Sequence, residues 1–136
     1  MNRFFVDTFY WIALSNRRDQ WHQRVQAFNR TLTTSHFYTT EEVLGELLDF
    51  CGGGTPETRR RAVLFTRRVL TDPHITVVPQ THASFLEGLA LYESRPDKEY
   101  SLTDCISMQT MRREGLTDVL TNDHHFRQEG FRILFP

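Results

Sequence analysis

The sequence predicts an α/β fold of three layers, α/β/α, in which helices cover both faces of a mostly parallel sheet of four to five strands. Three observations predict it. Short apolar runs alternate with longer helical patterns from one end of the chain to the other, the order that builds a parallel sheet covered on both sides. Two of those runs, Arg3–Val6 and Asp118–Thr121, are apolar over consecutive positions instead of alternating, as strands buried on both faces are. Finally, 136 residues make one domain of ordinary size, able to bury a core without metals or disulfides as props. A single domain over residues 1–136 is expected.

Composition narrows the setting. The net charge of -1 and pI of about 6.6 give no global field of the kind that marks a nucleic-acid binder, so any such role must come from local patches. Of the 16 basic residues only Lys98 is a lysine, and arginine carries the planar fork suited to phosphates. Cys51 and Cys105 stand far apart without CxxC spacing, against a zinc ribbon or a disulfide framework. The chain reaches a core strand at once, leaving no room for a signal peptide, and no apolar run approaches the ~18 residues of a membrane span. A cytoplasmic protein without membrane contact is the expectation.

The first strand stops abruptly on Asp7, and Thr8–Leu14 continues as a buried helix for which Asp7 could serve as N-cap. Trp21, Val25 and Phe28 fall at helical spacing within an amphipathic helix from Asp19 to Arg30. Ser35–Tyr38 reads as a second strand. Thr39 and Glu42 fit a capping box opening the next helix, which makes Glu42 structural. Glu46, one turn on, borders the apolar Val43-Leu44-Leu47 stripe with no cap to explain it. It is either an edge residue reaching solvent or a carboxylate needing a cation nearby.

Gly52-Gly53-Gly54 ends that helix, and Thr55-Pro56 begins another. No Gly-Lys-Ser/Thr follows, so the glycines are not a phosphate loop. On the helix from Pro56 to Leu70, Ala62, Phe65 and Val69 form the buried stripe. Arg59, Arg60, Arg61, Arg67 and Arg68 crowd the rest, with only Glu57 and Asp72 as flanking acids, a patch suited to a polyanion. Ile75–Val78 is a β-branched strand, and Thr81 opens a helix to Ser94. Ser101 opens another, running to Arg113 and stopped by Gly115, with Asp104 placed to close a capping box. The strand Asp118–Thr121 releases Asp123, Gly130 ends a short helix, and Phe131–Phe135 supplies the last strand.

In a parallel sheet Asp7 and Asp123 share the carboxyl edge, where open α/β sheets bind ligands. A helix antiparallel to the strands brings Asp104 to the same edge, and Glu46 can reach it. Two carboxylates ~4 Å apart repel by about 1 kcal/mol in water and ~4 kcal/mol at a partly buried edge. Four together cost more than a cap returns. A divalent cation removes the conflict, and oxygen ligands favour Mg²⁺ or Mn²⁺ over zinc.

The segments FFVDTFYWIAL, TTEEVLGELL, YSLTDCISMQTMRREGL and VLTNDHHFRQEGFRIL resemble the four acidic motifs of PIN-domain ribonucleases, specifically the toxins of VapBC-type toxin-antitoxin pairs. The resemblance covers nearly the whole chain, and the order Asp, Glu, Asp, Asp in strand, helix, helix and strand contexts is what makes it specific. It implies that Asp7, Asp104 and Asp123 bind metal, with Glu46, the acid matching the family's Val-Leu-x-Glu pattern, completing the pocket. Thr8 and Thr121 become supporting polar neighbours. It further implies metal-dependent hydrolysis of RNA, a homodimer, and inhibition by a cognate antitoxin whose tail covers the acidic groove. Arg59, Arg60, Arg67 and Arg68 fall in the family's variable region, where a role in holding RNA is expected from their charge.

Rival chemistries fit less well. A phosphatase of the haloacid dehalogenase type needs a second Asp where Phe9 stands. A zinc hydrolase built on His124 and His125 fails because adjacent histidines rarely share an ion and no Glu-x-x-His partner is present. Those histidines read as an exposed helix start that could touch RNA. A silent PIN fold acting as an RNA-binding or protein-interaction module, and a housekeeping RNA-processing nuclease, are the remaining alternatives.

Overall fold

The computed structural model describes residues 1–136. Its elements run β1 (Asn2–Val6), α1 (Thr8–Ser15), α2 (His22–Thr31), β2 (Ser35–Thr40), α3 (Glu41–Gly52), α4 (Pro56–Thr71), β3 (Ile75–Val78), α5 (His82–Ser94), α6 (Leu102–Glu114), β4 (Asp118–Leu120), α7 (His125–Gln128) and β5 (Arg132–Ile133). Five strands form one sheet in the order β3-β2-β1-β4-β5, and every pairing is parallel.

β1 lies at the centre, and Phe4, Phe5 and Val6 are buried without alternation, as helices on both faces require. From β1 the chain builds outward through β2 and β3, then returns to place β4 and β5 on the other side. The reversal opens a crevice between the carboxyl ends of β1 and β4, the topological switch point at which such sheets bind ligands. Helix α5 packs on α6, and α3 packs on both α1 and α4.

Local chemistry sets where the site-bearing elements begin. The Trp11 indole N–H donates to the Thr39 hydroxyl at 3.2 Å, and that hydroxyl donates to the Val6 carbonyl at 2.9 Å. This buried chain ties α1 to the ends of β1 and β2, so Thr39 is not the cap of α3. The cap is Thr40, whose side chain accepts from the Val43 N–H, and the expected Thr39/Glu42 capping box does not form. The strand continues two residues further than its apolar run because Thr39 and Thr40 are both buried.

Other expectations meet the structure more directly. Ser101 and Asp104 form a reciprocal capping box at the start of α6, and Gly115 ends that helix in the left-handed conformation, φ 68°, which glycine adopts at no steric cost. Thr66 takes the interior position on α4 beside Ala62 and Val69, with Phe65 only partly buried. No helix is long and apolar enough to cross a membrane.

Candidate metal centre at the β1/β4 edge

Asp7 follows β1 directly and is 7% exposed. It occupies the N-cap position of α1, yet its side chain makes no capping bond. Instead Oδ2 accepts from the Thr121 hydroxyl at 2.8 Å. Burial and the neighbouring charge of Asp104, with a smaller push from Glu46, raise its carboxyl to about 7. The same Thr121 oxygen accepts from the Asp123 N–H at 3.1 Å, so one fully buried hydroxyl positions the acids that follow both β1 and β4.

Asp104 reaches the crevice from the first turn of α6. Its capping bond, from the Ser101 N–H at 3.1 Å, engages Oδ2 alone. Burial raises its carboxyl to about 6, with Asp123 and Glu46 adding repulsion against the bonds from Ser101. Capping and membership of the acidic set coexist here. Glu46 projects from α3 toward the same place: it is half-buried, accepts from the Thr8 hydroxyl at 2.6 Å, and bears on the ionisation of both Asp7 and Asp104. It is therefore no edge residue turned to solvent.

One side chain in this crevice was not expected there. His125 was placed at an exposed helix start, which describes His124 but not His125. The His125 backbone N–H donates to Asp123 Oδ1 at 2.9 Å, and its ring packs on Tyr100 with centroids 5.4 Å apart. Donor atoms of Asp104, Asp123 and His125 all lie within 4.8 Å of one another. The spacing of His125, two residues after Asp123 at the start of a helix, was the available signal. Adjacency to His124 obscured it.

The donor set fits a divalent cation. Asp104 and Asp123 bring their donor atoms together with His125, while Asp7 and Glu46 border this group and act on it through charge; burial and the neighbouring acids drive Asp7 and Asp104 toward protonation, the state a positive charge reverses. The buried His125 Nδ1 has no hydrogen-bond partner.

The expected RNA-holding arginines are dispersed. Arg60 and Arg61 pair with Glu57, and Arg59 donates to the Gly52 carbonyl at 3.0 Å. Arg68 joins Arg61, Arg17 and Arg18 in a large cleft that also contains Ile12, Leu14 and Phe65. This cleft lines α1 from Ile12 toward its carboxyl end, whereas Asp7 precedes its amino end. Arg59, Arg60 and Arg67 do not line it.

A parallel sheet with acids gathered at its switch point defines a class of α/β domain whose candidate ligand site lies at the carboxyl ends of the central strands. Within that class the chain belongs to the PIN-domain family, whose model matches residues 4–131. It is 30% identical over 138 residues to the 23S rRNA-specific endonuclease VapC20 of Mycobacterium tuberculosis, covering 97% of this chain and 98% of that protein. The crystal structure of VapC20, described as a Sarcin-Ricin loop cleaving toxin, superposes with a TM-score of 0.83 at 24% identity, over 94% of this chain and 95% of that one. VapBC2 from Rickettsia felis, crystallised bound to a DNA fragment from its promoter, shares the fold at a TM-score of 0.67 and 10% identity, over 96% of each chain.

Proposed function

We propose that this protein is a metal-dependent endoribonuclease, the toxin of a toxin-antitoxin pair, acting in the cytoplasm. The observation that carries the reading is the convergence of Asp7, Glu46, Asp104 and Asp123 on the β1/β4 switch point, with Asp7 and Asp104 raised to about 7 and about 6. These four acids would hold Mg²⁺ or Mn²⁺, which when bound would acidify a water and stabilise charge developing on the phosphoryl oxygens. The chain's own residues do the rest. Thr121 fixes the Asp7 carboxylate and the Asp123 backbone, Thr8 orients Glu46, and the Ser101 cap aims Asp104.

VapC20 makes ribosomal RNA the first substrate to test, and VapBC2 supports an antitoxin as partner. The cleft that combines Arg17, Arg18, Arg61 and Arg68 with Ile12, Leu14 and Phe65 suits an antitoxin segment carrying both apolar and acidic side chains. Helix α5 exposes Phe85, Leu86, Leu89 and Tyr92, a face suited to a homodimer contact. The experiment is a brief pulse of expression followed by sequencing of RNA ends. Wild type produces discrete new ends and slowed growth, relieved by a neighbouring small gene; Asp7→Asn produces neither. Identical RNA ends in wild type and Asp7→Asn would overturn the nuclease reading.

A further inference from the structure

We propose that His125 contributes an imidazole nitrogen to the cation held by Asp104 and Asp123, which makes the site prefer Mn²⁺ over Mg²⁺. The inference rests on the metal-dependent reading above and names the ion's chemistry more closely. Its ground is an unmet valence. The Nδ1 atom is buried and has no hydrogen-bond partner, although Asp123 Oδ1 lies only 3.1 Å away. At that distance the two atoms would bond if aligned, and they are not aligned.

A neutral imidazole has one donor and one acceptor nitrogen. With its lone pair on Nδ1 facing these carboxylate oxygens, the ring is matched by a cation held between them. The Asp104, Asp123 and His125 donor atoms, all within 4.8 Å of one another, have the spacing of ligands around a common ion.

The ring is held in place from several sides. The His125 backbone N–H donates to Asp123 Oδ1, and the ring rests on Tyr100. The Tyr100 hydroxyl donates to Glu129 at 2.8 Å, and Glu129 is clamped by Arg95 and Arg112. Metal-binding histidines are commonly fixed by such outer contacts. Glu129 and Tyr100 are thus positioning residues for His125. The consequence is selectivity: Mg²⁺ keeps oxygen ligands and several waters, whereas imidazole favours first-row transition ions.

The test is pulsed electron paramagnetic resonance of the purified full chain loaded with Mn²⁺, with RNA cleavage assayed in parallel. Wild type shows nitrogen coupling to the Mn²⁺, and labelling histidine with ¹⁵N converts that coupling to the ¹⁵N pattern. His125→Ala, checked for folding by circular dichroism, loses the coupling and lowers the Mn²⁺-to-Mg²⁺ affinity ratio by about tenfold. His125→Asp restores binding with Mg²⁺ favoured. Mn²⁺ bound without nitrogen coupling, or no Mn²⁺ bound, overturns the assignment. Cleavage without coupling sinks this inference alone, and coupling without cleavage sinks the nuclease reading alone.

Discussion

Burial and the neighbouring acids make ionising Asp7 costly, a cost that a cation in the crevice would offset. The Asp7 shift from 3.8 to about 7 corresponds to roughly 4 kcal/mol against the charged form at alkaline pH. Replacing it with Asn removes that cost in the metal-free protein, so Asp7→Asn should melt several degrees higher than wild type in EDTA at pH 8. Mn²⁺ should raise the melting temperature of wild type and leave that of Asp7→Asn nearly unchanged; calorimetry on the two proteins with and without metal checks both. Thr121 acts through two acids at once. Thr121→Val should therefore weaken metal affinity about 10- to 100-fold, measured by isothermal titration, while circular dichroism remains native.

At the scale of elements, the crevice depends on how closely α6 packs. Gly88 of α5 faces Ile106 of α6, and a Cβ added at Gly88 would lie 2.4 Å from Ile106 Cγ1. Gly88→Ala should cost about 1–3 kcal/mol and displace the helix that carries Asp104, a loss readable in denaturant unfolding together with metal affinity. The elements themselves were largely legible in the chain. Continuous apolar runs marked β1 and β4, and Ser101 with Asp104 announced the start of α6. Thr39 misled, because a buried hydroxyl bonded to Val6 and Trp11 has the same local sequence as a cap. Glu129 was invisible for a different reason: its environment is assembled by Tyr100, Arg95 and Arg112 across the tertiary fold, and periodicity carries no record of such contacts.

For the whole molecule, charge placement sets an unusual pH profile. The unfolded Asp7 and Asp104 ionise near ~4, but folded they ionise at about 7 and about 6. Between those values the native state binds more protons, so their contribution to metal-free stability declines as pH rises from about 4 to about 7. Glu129 has the opposite sign. Burial alone would raise it, but hydrogen bonds from Arg95, Arg112 and Tyr100 hold it at about 2, and its contribution is lost as pH falls from ~4 through that value. Metal-free protein should thus be most stable in acid, near pH 4, with Mn²⁺ moving the optimum toward neutrality; a melting series from pH 3 to 8 reads this directly. The central claim, that the acidic crevice is a nuclease centre, is tested most directly by incubating purified, antitoxin-free protein with ribosomal RNA. The prediction is cleavage at discrete sites with Mn²⁺ or Mg²⁺, abolished by EDTA and by Asp7→Asn. Protein that binds the RNA and cuts none of it under either ion would contradict the claim and make the chain a binding module on a PIN fold.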